Sequence, residues 1–481
     1  MKNIEQLNNL KDFAIKTVNQ IEITISERPV FSNKIRKAIF FLFHEGISRT
    51  LKKINTSKKY SYQKKYITIL QINFNEKSYI NLSIQTQTNP IFFVIENMFY
   101  LNNDNNSLRN ININNVDKLN QFTEINYNFF GIRTENGISL NTKELNNDNK
   151  QKQNGLFIFG IGGYIYTYVI NNLRKINKIA CIDYQYNIAK DFAKKYNFNN
   201  FYLVPKYALN DIKNTKIPYV IIATYHSDHS EIAKQVYNVN KNARIFIEKP
   251  PCVNLEDLET LINLYNKNAF IDIGFNRRYI PFSNYVKTKI PENKAVIINC
   301  SVKEVLINKY HWYNWDNQGT RVTGNGVHWI DLGTYWIKSK PVEINIINPV
   351  NNIDDFTISI LYKNGSLLNL MSSDKGNSLR GVQELIEIKY ENETIIINDF
   401  NKLTHLKSNG KKYIKNKIIR DKGHNRMYKH VNKFFEQGKK SNYTKNDLIN
   451  TTVVTFIASK MIRENKRNMK IEDIIDKYHK I

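Results

Sequence analysis

The sequence predicts an α/β fold. A parallel-sheet domain is expected, preceded by an extra N-terminal α+β region and followed by a C-terminal α+β domain with an open, mostly antiparallel sheet. Three observations carry this. Between residues 155 and 273, short apolar runs alternate with amphipathic helical segments, the pattern of βαβ units. Beyond about residue 290, strand-like runs follow one another, and Asn364-Gly365 and Asn409-Gly410 between them signal hairpins. The first 150 residues mix helical periodicity, strand-like runs and polar stretches. A chain of 481 residues suits two to four domains, and the pattern changes place them at 1–150, 151–280 and 281–481.

In order along the chain, Ile4, Leu7, Leu10, Phe13, Ala14 and Val18 have helical spacing. Ser32 is placed to cap a second helix from Ile35 to Leu51, with Ile35, Ala38, Ile39, Leu42 and Phe43 on one face. Strands are expected at Tyr66 to Phe74, Tyr79 to Gln87 and Ile91 to Leu101. Asn-rich stretches at 102–120 and 140–155 read as a loop and a linker. Leu156-Phe157-Ile158-Phe159 then reads as a buried strand, followed by glycines and a helix. Further strands are expected at 179–182, 219–223, 244–247 and 269–273, with helices at 188–196, 227–239 and 255–265 between them. Later strands are read at 295–305, 356–362, 366–371, 384–390 and 393–398, and helices at 424–437 and 445–464.

Hydrophobic residues make up 41% and charged residues 23%, enough to build packed cores. No apolar run reaches the ~18 residues of a membrane span, and Met1-Lys2-Asn3-Ile4-Glu5-Gln6 lacks a secretory apolar stretch. A cytoplasmic protein is the expectation. Cys181, Cys252 and Cys300 are far apart, which argues against a disulfide framework or structural zinc. The net charge of +27 is spread along a chain rich in Asn, Ile, Lys and Tyr. It reads as composition bias rather than a specific nucleic-acid surface, although any such charge attracts polyanions weakly.

Four places carry chemistry. Gly160-Ile161-Gly162-Gly163-Tyr164-Ile165 lies between a strand and a helix, the context of a dinucleotide-binding loop. Gly160 permits the tight turn and Gly162 a close approach of backbone to a pyrophosphate. Ile165 stands where Gly or Ala is usual, and alone the loop fits a plain βα turn equally well. Asp183, 23 positions after Gly160, ends the next strand. Such an acid binds both ribose hydroxyls and repels a 2′-phosphate, favouring NAD over NADP; a solvated strand-end Asp is the alternative. Glu248-Lys249-Pro250-Pro251 follows a strand, where a lysine points into a ligand crevice unless it is merely a surface residue before a turn. His328 opens an apolar helix after a glycine-rich stretch, suited to acid–base work on an alcohol or to a core or capping role. His226 and His229 lack a third ligand, so no metal site is expected, and Cys252 reads as a small buried residue.

Together these pieces, in this order, resemble the Gfo/Idh/MocA family, which includes glucose–fructose oxidoreductase and inositol dehydrogenase. The matching residues are the loop 160–165, Asp183, Ala223-Thr224 with His229, Glu248-Lys249-Pro250, Gly274-Phe275-Asn276-Arg277-Arg278-Tyr279, and Gly326-Val327-His328 with Asp331. Asp421-Lys422-Gly423-His424 resembles a branch found in surface-polysaccharide contexts. About two thirds of the chain, from 155 to 470, is covered. The resemblance implies a Rossmann domain and an open sheet that serves as a homo-oligomer interface. It implies hydride transfer between a nicotinamide and a sugar, cyclitol or nucleotide sugar, with Lys249 and His328 catalytic. Gly160, Gly162, Gly163, Tyr164, Asp183, Thr224, His229, Glu248 and Lys249 would line the cofactor. Asn276, Arg278, Trp312, Asn325 and His328 would meet the substrate. The family often carries Asp four residues before the histidine. Here Gly324 stands there and Asn325 follows, and an amide cannot accept a proton at neutral pH. That departure, with Ile165, leaves a catalytically degenerate scaffold protein of glycan assembly as the second reading. A polyanion-binding protein is the third.

Overall fold

The computed structural model describes residues 153–183, 186–202, 205–292, 294–307, 318–349, 355–376 and 381–481, Leu51, and the backbone of five strands before residue 150. Those strands are β1 (Ala14–Ile23), β2 (Lys65–Phe74), β3 (Lys77–Thr86), β4 (Asn89–Glu96) and β5 (Asn128–Gly131). They form an antiparallel sheet in chain order. β2, β3 and β4 follow the expected runs. β1 overturns the helical reading of Ile4 to Val18 from Ala14 onward: Ala14 pairs with Asn73 and Ile23 with Lys65. Ladder bonds across ten residues override a local 3.6-residue spacing. The expected helix at 35–51, the 102–120 loop and the linker to residue 152 fall outside the described residues, Leu51 excepted, which is helical.

The chain divides into two compact units. One holds β1 to β5 and residues 178–211. In the latter, β7 (Lys178–Ile182) pairs in parallel with β8 (Asn200–Tyr202). Helix α1 (Tyr186–Tyr196) connects them, and α2 (Pro205–Lys213) follows. Asp211 accepts hydrogen bonds from Asn200 Nδ2 at 2.8 Å and from the Tyr202 hydroxyl at 2.7 Å.

The other unit holds residues 151–177 and 212–481. Its parallel strands run in the order β11-β10-β9-β6: β6 (Gly155–Phe159), β9 (Pro218–Ile222), β10 (Arg244–Ile247) and β11 (Phe270–Ile273). Leu156 to Phe159 are fully buried, as expected of a parallel strand covered on both faces. Helices α3 (His229–Val239) and α4 (Leu255–Asn266) make the crossovers, and Asn254 caps α4 by accepting from the Asp257 amide at 2.8 Å. Helix α5 (Ser283–Lys289) leads to a nine-stranded sheet.

That sheet has the order β19-β18-β17-β16-β12-β15-β14-β13-β20. Its strands are β12 (Ile297–Lys303), β13 (Pro341–Ile347), β14 (Phe356–Tyr362), β15 (Leu367–Ser373), β16 (Gln383–Tyr390), β17 (Glu393–Asn398), β18 (Lys402–Leu406), β19 (Lys412–Asn416) and β20 (Asn468–Lys470). The Asn364-Gly365 and Asn409-Gly410 turns join β14 to β15 and β18 to β19, as expected. The one parallel pair is β12 with β15, Ile297 opposite Leu367. One face packs under α6 (Val327–Ile337), α8 (Lys445–Arg463) and α9 (Glu472–Lys480), whereas α7 (His424–Gln437) packs on β10 and the turns at 165–169 and 276–279. On that face lie Ile298, Cys300, Val302, Ile386, Ile388 and Tyr390, alternating with outward Ile297, Leu385 and Lys389. A capping box between Thr444 and Asp447 fixes the start of α8.

Candidate active site

The turn after β6 is built as its glycines require. Gly160 has φ +84°, and a Cβ there would lie 2.3 Å from Ala223 O, so the chain crosses the end of β9 only because this residue has no side chain. At Gly162 a Cβ would meet nothing within 4 Å, which leaves the backbone open to a large ligand such as a pyrophosphate. The helix expected after the loop is short and irregular. It begins at Gly163 and passes at once into a π-helical turn, Ile165–Val169. Ile165, at the position where a small residue is usual, is buried together with Tyr166, Thr167 and Val169, and the wider winding carries these bulky residues on its buried side.

Aromatic packing ties this turn to α7. Tyr164 lies 5.2 Å from Tyr168, and His424 stacks on Tyr168 at 4.0 Å. The Tyr428 hydroxyl donates to Glu248 and lies 3.4 Å from the Tyr164 hydroxyl. Burial pushes the Glu248 carboxyl above its usual range against the Tyr428 hydrogen bond, which lowers it. His229 spans two loops: Nδ1 donates to Pro250 O at 2.8 Å, and Nε2 lies 3.3 Å from Thr224 O. Burial holds its pKa down to about 4, so the ring is neutral and structural, and it fixes the Thr224 turn against Lys249-Pro250. Asp183 directly follows β7, its amide donating to Tyr202 O at 3.1 Å.

Lys249, just past β10, donates from Nζ to Gly324 O at 2.6 Å. That carbonyl belongs to a second π-helical turn, Val322–Gly326, which leads into α6 and His328. Burial, then the nearby Arg277 charge, lowers the Lys249 ammonium to about 8, with the Glu248 and Glu304 carboxylates opposing. His328 is buried, its Nδ1 has no hydrogen-bond partner, and Phe275 meets it edge-on at 6.5 Å. Burial, Arg277 and Lys249 hold its pKa well below the usual value, so the imidazole is neutral at pH 7. A lysine near neutrality beside a neutral histidine can take a proton from a hydroxyl while the imidazole hydrogen-bonds the same oxygen.

The remaining expected residues divide. Asn276 is buried and donates to Lys422 O at 2.7 Å, so the 274–279 and 421–424 motifs meet. Asn325 donates to Glu304 Oε2 at 3.0 Å. Trp312 lies outside the described residues. Arg278 departs from the expectation of a substrate contact. Its guanidinium grips Asp331 with two bonds of 2.8 and 2.7 Å, reaches Asp447 at 3.1 Å, and lies over the rings of Tyr335 and Tyr443. Nε and Nη2, both taken by carboxylates, lock α6 to α8. Its neighbour Arg277 sits 4.5 Å over Trp329 and shares Glu384 with Lys422, at 2.6 and 3.0 Å. Burial lowers Lys422 to about 8. The sequence reading missed Glu304, Glu384 and Tyr428, and named Arg277 and Lys422 within motifs without giving them a role. One signal was available: the period-two alternation of β16 puts Glu384 on the buried face, and that of β12, carried one step beyond the strand, puts Glu304 there. Among the described residues no three His, Cys, Asp or Glu side chains are grouped to hold a metal ion.

The fold and this crevice define a dinucleotide-binding oxidoreductase domain joined to an α+β partner. Residues 155–271 match the model of the GFO_IDH_MocA oxidoreductase family, described as an NAD-binding Rossmann fold. This segment is an NAD-binding Rossmann domain of the Gfo/Idh/MocA type. No curated protein matches the sequence. Solved structures share the fold over about two thirds of this chain. An oxidoreductase domain protein from Kribbella flavida is 13% identical with TM-score 0.56, covering 66% of this chain and 99% of its own. GenD2 from gentamicin A biosynthesis, solved with NAD, is 15% identical with TM-score 0.55, covering 66% and 96%. An oxidoreductase from Agrobacterium radiobacter, solved with NAD+, L-tartaric acid and magnesium, is 15% identical with TM-score 0.56, covering 68% and 100%. The open space at Gly162 fits a pyrophosphate, so the residues present suit the cofactor of the family model. No helix among the described residues is long and apolar enough to cross a membrane.

Proposed function

We propose that the chain is an NAD-dependent dehydrogenase acting on a hydroxyl or keto carbon of a sugar, cyclitol or nucleotide sugar, within surface-polysaccharide assembly. The observation that carries this reading is the pairing of Lys249, lowered to about 8, with a buried neutral His328 across the Val322–Gly326 turn. Bound NAD supplies a hydride acceptor at its nicotinamide. Neutral Lys249 takes the substrate hydroxyl proton during oxidation and returns it during reduction. His328 Nδ1, without a protein partner, orients the reacting oxygen by a hydrogen bond. Gly160 and Gly162 leave room for the pyrophosphate, and Gly163, Tyr164, Thr224 and Glu248 complete the cofactor lining; an acidic residue at the strand end, Asp183, is the kind that selects NAD through the ribose hydroxyls. Asn276 and Asn325 face the substrate side, and the outward face of the nine-stranded sheet pairs with a second copy.

The test is Lys249→Ala under a panel of sugars and nucleotide sugars. We expect turnover to fall by about two orders of magnitude or more, while the thermal shift produced by NADH, larger than that by NADPH, is unchanged. Equal loss of both makes the lysine structural. NADH binding with no turnover on any panel member, in the wild type, favours the scaffold reading.

A further inference from the structure

Glu304 continues the buried face of β12 by one residue and is fully buried. A carboxylate placed there among Ile298, Cys300 and Val302 is costly unless its partners make the burial worthwhile. Its partners bracket one structure. At one end of the Val322–Gly326 turn, Arg321 Nη1 lies 3.6 Å from Glu304 Oε2 and also donates to Val305 O at 3.0 Å. At the other end, Asn325 Nδ2 donates to the same Oε2 at 3.0 Å. Arg321 and Asn325 are four residues apart, so a single oxygen holds both ends of the turn. Between them, Gly324 O receives Lys249 Nζ. π-Helical turns are a local departure from regular winding that occurs most often where a side chain must be aimed.

We propose that Glu304 is the positioning residue of the proton-handling site: it holds the Val322–Gly326 turn through Arg321 and Asn325, aims the Gly324 carbonyl at Lys249, and supplies from β12 the negative charge that position 324 lacks. The inference rests on the assignment of Lys249 to proton handling above. Glu304 acts on the lysine in two ways. The carbonyl it fixes takes one of three ammonium donors and leaves two for ligand. Its charge also favours the ammonium against burial and Arg277, and so keeps the lysine from losing its proton too early.

The experiment reads Lys249 directly and needs no substrate. The full-length protein is acetylated with trace acetic anhydride across a pH series, and the Lys249 peptide is quantified by mass spectrometry. The wild type should show a midpoint near 8. Glu304→Gln keeps a hydrogen-bond acceptor for Asn325 and removes the charge, so the midpoint should fall by about half a unit. Glu304→Asp keeps the charge and should restore it. Equal midpoints in all three proteins overturn the proposal, because a merely structural Glu304 would move none of them. Asn325→Ala leaves the charge and cuts the link to the turn. Its Lys249 should label at least twofold faster on the alkaline plateau, and an unchanged plateau overturns the positioning role even if Glu304→Gln fails to fold. Shifted midpoints in a protein that turns over no sugar would leave this inference standing while the proposed reaction fell.

Discussion

Replacing Arg278 with Met separates a fold-holding arginine from a substrate-binding one. The guanidinium is 5% exposed and bonds Asp331 at 2.8 and 2.7 Å and Asp447 at 3.1 Å, and Asp331 is fully buried. Deleting the cation leaves the Asp331 carboxylate in an apolar setting with one remaining hydroxyl donor, Thr451 at 3.3 Å. Breaking a buried pair from one side costs about 3–5 kcal/mol, a factor of roughly 100 to 4,000 in the folded-to-unfolded ratio. Trp329 and Trp336 flank Asp331 on α6 and are buried, so tryptophan fluorescence in a urea titration reports the loss of this helix's packing directly. The double variant Arg278→Met/Asp331→Leu removes both charges and should recover most of the loss, since an apolar pair of similar volume is close to neutral. NADH binding should be unaffected in the double variant. A stability loss below about 1 kcal/mol for Arg278→Met, together with a rise of tenfold or more in KM for a sugar substrate, would refute the structural assignment and return the guanidinium to the substrate.

Two further perturbations probe the cofactor side. Gly160→Ala should destabilise the protein by about 2 kcal/mol or more, since its Cβ would overlap Ala223 O at a positive φ. Gly162→Ala should leave the melting temperature within a degree or two yet weaken NADH at least tenfold, both read by thermal shift with and without NADH; equal behaviour of the two variants would remove the ligand from this turn. Glu248, its carboxyl raised by burial, holds its proton in the fold above the unfolded value of about 4.3. Stability from this group is therefore full below that value and is lost as pH rises through the raised folded value. The melting temperature of Glu248→Gln relative to wild type should then climb between pH 5 and pH 8, and a difference that does not change with pH would contradict the raised carboxyl.

The legible parts of this chain are those whose local chemistry agrees with their tertiary setting. The buried run 156–159, the Asn-Gly hairpins at 364–365 and 409–410, and α7, delimited by Gly423 and Gly438, could be read because pattern, turn residues and helix stops all agree. The strand 14–23 could not, since its partner lies some fifty residues away and pairing overrides local spacing. A helix was expected after the glycine loop, and the buried bulk at Ile165 accompanies a π turn that no residue count foretells. In the site, Lys249 and His328 each stand in a motif that the sequence itself displays, Glu248-Lys249-Pro250 after a strand and Gly326-Val327-His328 at a helix start. Glu304 and Lys422 reach the same crevice from sheet and loop positions far along the chain, so their roles emerge only from packing. Adjacent arginines at 277 and 278 are indistinguishable in sequence, and the acceptors that separate them, Glu384 and Asp331, are 107 and 53 residues away.

The aromatic clasp between Tyr164 and Tyr428 also sets a timetable for the newborn polypeptide. The two residues are separated by 264 positions. At translation speeds of about 5–20 residues per second, the interval between their emergence from the ribosome is roughly 13–53 s. Throughout it, the apolar flank of the glycine loop has no covering helix, and Glu248, once made, waits a further 180 residues for the hydroxyl that will donate to it. A ribosome-stalled chain ending before α7 should therefore expose that flank to chaperones, and the nucleotide pocket closes only as synthesis nears completion.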